Sequence, residues 1–313
     1  MKKNKLLCAV LTVLLVSGCQ STPAQKDTKE TMQAFDNYGR SVEINKVPEK
    51  VLTLGPNCSE LFIALGLQDK IIGTSLSNHS RGPLPEYKEA YEKLPELTHA
   101  SATREAVLSS GADFIYGIDW EFGQEALDVK ELSTFGITTY MNAASTMEEM
   151  YQEIMDIGKI FQIEEVAAAF IENQKSRIEQ ITKTVATQAP IKVLVYDSGG
   201  NGVFTCSGSN FETLLIEKAG GKNIFDDLQE AQWVTVSSEE ILHRQPDVIL
   251  IHDYDTPSLA EKIKEIKADP ALSQLACVKA ERFISIPLES VLPGDRMAYT
   301  VEHLAKGFYP SLF

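Results

Sequence analysis

The sequence predicts an α/β protein made of two similar lobes, each with a mostly parallel sheet, bridged by a single long α-helix. Three observations carry this. Short β-rich runs alternate with helical patterns along most of the chain, which is the grammar of parallel sheets covered by helices. The segment Glu105–Ile115 (EAVLSSGADFI) lines up with Glu239–Ile249 (EEILHRQPDVI), 134 residues further on. A long helical pattern from Glu164 to Val185 lies between the two matching halves.

The elements follow in order. Val51–Leu54 reads as a strand, Cys58 to Leu65 as a helix ending at Gly66, and Ile71–Gly73 as a short strand. Thr103 caps a helix with Glu105 in its first turn, ending by Gly111. Asp113 to Tyr116 is a strand, Gln124 to Phe135 a helix and Thr138 to Met141 a strand. Met147 to Phe161 and Glu164 to Val185 are long helical patterns broken by neither Pro nor Gly, save Gly158. The pattern then restarts with a strand at Ile191–Tyr196 and a helix from Asn210 to Ala219, stopped by Gly220-Gly221. Ser237, with Glu240 three residues on, forms a capping-box pattern. Asp247–Ile251 is a strand, Leu259–Lys267 a helix, Arg282–Ile286 a strand and Asp295–Phe308 a closing helix. In both halves a Glu opens a short helix, an Asp eight residues later opens a strand, and a helix-to-Gly signal (Leu65-Gly66, Ala219-Gly220) comes before. The expected organisation is a signal peptide over 1–18, a lipidated tether over 19–34, an N-terminal lobe over 35–145, a helical segment over 146–189 and a C-terminal lobe over 190–313.

The chain opens with three lysines in its first five residues, then an apolar run from Leu6 to Val16 and Ser17-Gly18-Cys19. This is the layout of a secretory signal, and the run is too short to span a bilayer, which takes ~20 residues. Val16-Ser17-Gly18-Cys19 also resembles a bacterial lipobox, which implies that Cys19 becomes the first mature residue and carries lipid. The expected location is the extracytoplasmic face of the cell membrane, with membrane contact through that anchor.

The formal net charge of −15 becomes −18 once the three signal lysines are gone, which argues against nucleic acid as a partner. Cys58, Cys206 and Cys277 are widely spaced and show no metal-ligand pattern. They read as small buried thiols, with a Cys58–Cys206 bridge as the alternative in an exported protein. No G-x-G-x-x-G, Walker A or G-x-S-x-G motif is present. Neither an enzyme nor a bound cofactor is therefore expected, and the five scattered histidines give no metal site.

Two lobes leave a crevice between them, and ligands of open α/β sheets sit at the carboxyl ends of strands. Trp120 follows the strand ending at Tyr116, and Trp233 precedes the Ser237 helix; Phe204, Tyr196 and Tyr254 also lie near strand ends. Aromatic side chains there suit a large planar or cage-like ligand. The alternative for each Trp is packing within a lobe core.

These residues resemble a family. Phe35–Ile44 with Pro48-Glu49-Lys50-Val51 is similar to the opening hairpin of iron-siderophore and cobalamin binding proteins of ABC importers. So are Ser59-Glu60-Leu61, Ala64-Leu65-Gly66, Trp233–Glu239, Pro246–Ile249 and His303–Pro310. The resemblance covers nearly the whole mature chain. It implies two α/β lobes bridged by one helix, small lobe motion, a monomer, and an ABC permease dimer as partner. It places the permease-docking glutamates at Glu105 and Glu239, in agreement with the repeat. Only seven arginines exist, with Arg81 and Arg296 as the candidates for the crevice. That leans towards a less anionic chelate, such as a hydroxamate siderophore. Cobalamin is the rival through Trp120, Phe204 and Trp233. Haem is another, with His252 or His79 as possible iron ligands.

Overall fold

A computed structural model describes residues 32–313. The signal peptide, Cys19 and most of the tether lie outside the described residues.

The described chain opens with a hairpin of β1 (Gln33–Asn37) and β2 (Arg40–Ile44). Its two-residue turn puts Tyr38 and Gly39 at φ 57° and 77°, the left-handed geometry that lets strands keep their twist. Next come β3 (Val51–Leu54), α1 (Pro56–Ala64), β4 (Ile71–Ser75), a single turn α2 (Lys88–Tyr91), α3 (Arg104–Ser109), β5 (Phe114–Ile118), α4 (Val129–Thr134), β6 (Thr138–Asn142) and α5 (Met147–Ile160). Helix α6 (Glu164–Val185) follows. The second half runs β7 (Ile191–Tyr196), β8 (Val203–Cys206), α7 (Phe211–Lys218), β9 (Gly221–Asn223), β10 (Trp233–Val236), α8 (Ser238–Arg244), β11 (Val248–Asp253), α9 (Leu259–Ala268), α10 (Ala276–Lys279), β12 (Phe283–Pro287) and α11 (Met297–Phe308).

Two four-stranded parallel sheets result, ordered β4-β3-β5-β6 and β9-β7-β11-β12. Their topologies are the same. β3 and β5 are buried throughout and β11 almost so, which explains a run such as Val248–Ile251 that is apolar without alternation. The repeat seen in the sequence has a structural basis. Asp113 accepts the N–H of Lys50 at 2.9 Å, at the start of β3, and Asp247 accepts that of Lys192 at 2.8 Å, on β7. One carboxylate in each half ties the neighbouring strands together at their amino ends.

Helix α6 bridges the halves. Its buried stripe of Ala167, Ile171, Gln174, Ile178, Ile181 and Val185 recurs every three or four residues, and it packs on α5 in one half and on α11 and α7 in the other. Gly158 allows the close approach of α5, since a Cβ there would lie 2.6 Å from that of Ala167. Gln174 accepts the N–H of Ala298, and Arg177 pairs with Glu302 through two hydrogen bonds of 2.8 and 3.0 Å.

Some expectations need correction. The helix expected over Gln124–Phe135 is only Val129–Thr134, because Asp128 accepts the N–H of Lys130 and starts it there. The preceding residues are held in a loop by Gly123 N–H to Leu127 O and Leu127 N–H to Glu121 O. Ser237 accepts the N–H of Glu240 at 3.1 Å, but Glu240 bonds Arg244 instead of reaching back, so the capping box is half formed. Cys58, Cys206 and Cys277 are buried free thiols, and no Cys58–Cys206 bridge exists.

Candidate functional site

The carboxyl ends of the two sheets face a narrow crevice. Its first wall is Ile118, Asp119 and Trp120 after β5, with Asn142, Ala143 and Ala144 after β6. Its second wall includes Asn210 and Phe211 at the start of α7, Gln232, Trp233 and Val291–Pro293. Trp120 stands on a single helical turn, Asp119–Glu121, and is 44% exposed. The two tryptophans named from the sequence thus line one space, of about 30 Å³, which is room for one water.

Trp233 does not lie in a loop. It starts β10, which pairs antiparallel with β8, with Trp233 opposite Cys206 and Phe204 opposite Thr235. Trp233 and Phe204 are therefore diagonal neighbours, and their rings stack at 5.4 Å and 18°. Behind them stands His252, completely buried, with Trp233 edge-on to it. Its Nδ1 is 3.0 Å from Asp197 and its Nε2 is 3.0 Å from Glu212. Burial pulls the imidazole pKa down, but Glu212 and Asp197 outweigh it and bring it up to about 9. His252 is therefore an imidazolium with both nitrogens engaged, and it props the aromatic wall from behind.

Tyr254 is half-buried and donates to Asp197, while the Lys262 ammonium sits 3.4 Å from the centre of its ring and donates to His252 O. Burial lowers that ammonium to about 8. On the facing half, the His79 ring stacks against Tyr254 at 6.0 Å. Tyr196 is not brought to the crevice. It is buried in the second half, with its hydroxyl on Glu265 at 3.1 Å, because its position on β7 turns it into the layer between the sheet and α9.

The two candidate arginines join the halves. Arg81 donates to Asp253 and to Tyr254 O, each at 2.9 Å. Arg296 is buried and holds Glu60, Ser290 at 2.9 Å and Gly82 O at 2.8 Å. Ser80 Oγ and the Arg81 N–H reach Glu289 at 2.8 and 2.9 Å. A buried guanidinium with this set of partners is a clasp, and none of those partners lines the crevice. Sequence reading missed Glu60, Glu289 and the Asp197–Glu212 pair. A buried carboxylate looks like any surface one in sequence until its partner is known.

Asp119 is exposed at the crevice mouth and makes no ion pair among the described residues. Partial burial raises its carboxyl above its ordinary value, against the pull of the Trp120 N–H and its own. A larger groove of about 700 Å³ lies between the opening hairpin and α5. Its buried carboxylates, Glu153 and Asp156, already accept from Tyr38, Tyr116, Tyr140 and Gln152, so that groove is a structural seam.

Glu105 and Glu239 are exposed, each the second residue of its helix. Thr103 and Ser237 cap those helices in the same way, with backbone angles within a few degrees of each other. Among the described residues no helix is long and apolar enough to cross a membrane, and no group of three or more His, Cys, Asp or Glu is placed to hold a metal ion.

Comparison with known proteins agrees with this architecture. The chain is 26% identical to a Bacillus subtilis protein named an uncharacterized ABC transporter substrate-binding lipoprotein, over 97% of this chain and 96% of that one. It is 25% identical to a vitamin B12-binding protein of Photorhabdus laumondii, over 65% of this chain and 70% of the other. A periplasmic binding protein of Veillonella parvula superposes with a TM-score of 0.79 at 22% identity, covering 89% of this chain and 98% of that one. The family model described as periplasmic binding protein matches residues 51–289, and the chain belongs to that family.

Proposed function

We propose that this chain is the substrate-binding component of an ABC importer, without catalytic activity, and that it captures a ferric hydroxamate siderophore between two lobes at 35–145 and 190–313. It acts as a monomer, held on the extracytoplasmic face by lipid on Cys19, and delivers its ligand to a dimeric permease. The name of the Bacillus subtilis relative, similar along nearly its whole length, supports the importer role. One observation carries the ligand reading: Trp120 and Trp233 line the crevice, and its walls bear neither Arg nor Lys. An anionic catecholate would find no counter-charge there. A chelate of hundreds of Å³ exceeds the 30 Å³ present, so binding parts the walls, with the Arg81 and Arg296 contacts limiting how far.

A corrinoid is the second reading. It rests on the vitamin B12-binding relatives and on Phe204 stacked behind Trp233. Haem fits less well, since both nitrogens of His252 are engaged and His79 is not among the residues lining the crevice. The test is direct. The purified protein is mixed with a ferric trihydroxamate, cyanocobalamin or haemin at micromolar concentration, desalted, and its visible spectrum recorded. The hydroxamate band should travel with the protein. Retention of cyanocobalamin alone would replace the ligand, and retention of none would overturn the reading.

A further inference from the structure

The polar groups of the crevice are unevenly used. Asn142 donates to Tyr116 and Glu153 and accepts from Asn57. Asn210 donates to Gln232 O and accepts the N–H of Glu212. The N–H groups of Ala143 and Ala144 are both on Glu153. What remains open to a ligand is two indoles, the exposed side-chain amide of Gln232 and one carboxylate, that of Asp119.

Indole faces attract cations through their negative quadrupole, and a carboxylate in a partly desolvated mouth adds to that attraction. The indole faces and the carboxylate disfavour an anion, while the indole N–H groups and the Gln232 amide are neutral donors. The surrounding charges do not reverse the sign. Arg81 at the far edge is paired with Asp253 and lies 3.9 Å from Asp255. His252 is paired with Asp197 and Glu212.

We infer that Trp120, Trp233 and Asp119 form a subsite for an organic cation, so that the preferred ligand is a chelate bearing an ammonium arm, which enters between the indoles with Asp119 as its counter-charge. The inference rests on the crevice being the ligand site and narrows the ligand class by charge. It also gives Asp119, absent from the sequence-based site, a specificity role. The arm would displace no cation, since Asp119 makes no ion pair among the described residues and holds only backbone N–H groups.

The test uses one linear ferric trihydroxamate in three forms: with a free terminal amine, with that amine acetylated, and with it succinylated. The core is constant and only the arm's charge changes. Affinities come from quenching of intrinsic fluorescence. The amine form should bind about five- to thirtyfold more tightly than the acetylated form, and the succinylated form more weakly still. Asp119→Asn keeps the shape and removes the charge. It should bring the first two forms within about twofold of each other, mostly by weakening the amine form. Equal or tighter binding of the succinylated form overturns the cation subsite and leaves the importer reading intact. The same holds for an amine preference that survives Asp119→Asn. Failure of all three forms to bind removes the subsite and the hydroxamate reading together.

Discussion

The indole of Trp233 stands edge-on to the imidazole of His252, with ring centroids 5.8 Å apart and planes at 78°. The aromatic wall of the crevice is thus backed by a buried imidazolium held between Asp197 and Glu212. Burying that cation is tolerable only because both nitrogens meet carboxylates.

His252 therefore contributes a pH-dependent part of the stability. Its pKa rises from 6.5 to about 9 on folding. The stabilisation is complete below about pH 6.5 and is lost as pH rises through about 9. Lys262, lowered to about 8, titrates in an overlapping window with the opposite sign. The quantity to follow is thus the difference in urea-unfolding free energy between wild type and His252→Phe. It should be about 3–5 kcal/mol at pH 6 and shrink steadily towards pH 10. A difference independent of pH would contradict the imidazolium.

Arg296 should act on stability and not on affinity. Arg296→Met leaves Glu60 buried without its cation and should cost about 3–5 kcal/mol, read as a lower unfolding midpoint. Ligand affinity, measured where the variant is still folded, should change by less than about threefold. A large loss of affinity at full stability would return Arg296 to the binding site.

Much of this was legible in the sequence. The bounds of β3, β7, α5 and α6 were read within a residue or two, because long periodic helices and β-branched, mostly apolar strands carry their own signal. The Glu105/Glu239 repeat predicted two like halves, and the Asp113 and Asp247 contacts explain why both segments keep an Asp. The short strands β8, β9 and β10 were missed, although Val203–Cys206 and Trp233–Val236 are rich in β-branched and aromatic residues. Such short runs, partly exposed and mixed in polarity, cannot be told from loops without their partner. Of the aromatics named from the sequence, Trp120 and Trp233 line one crevice, Phe204 stacks on Trp233, and Tyr196 lies elsewhere. The site was not legible in its charges. Whether Arg296, Arg81 or His252 faces a ligand or a buried carboxylate depends on residues such as Glu60, Asp253 and Glu212, far away in sequence.

Glu105 and Glu239 are expected to dock the permease. Changing both to Ala should leave ligand affinity unchanged and lower stability by only about 0.3–1 kcal/mol each. Uptake of labelled ligand by cells lacking the native copy should collapse. Arg at both positions should be worse still if the permease presents cations. Uptake at the wild-type rate by the double Ala variant would rule out docking through these residues.

Cys19 is expected to carry the lipid. Cys19→Ala should remain unprocessed and take up no labelled fatty acid, while wild type is labelled. Equal labelling of the two would place the anchor elsewhere.

The central claim is that the ligand lies between Trp120 and Trp233. Its most direct test is a fluorescence titration of wild type, Trp120→Ala and Trp233→Ala with the chelate retained in the spectral screen. Wild type should show saturable quenching, and each substitution should weaken binding by about 1–3 kcal/mol, roughly five- to 150-fold. Unchanged affinity in both variants, with folding intact, would place the ligand outside the crevice and contradict the account.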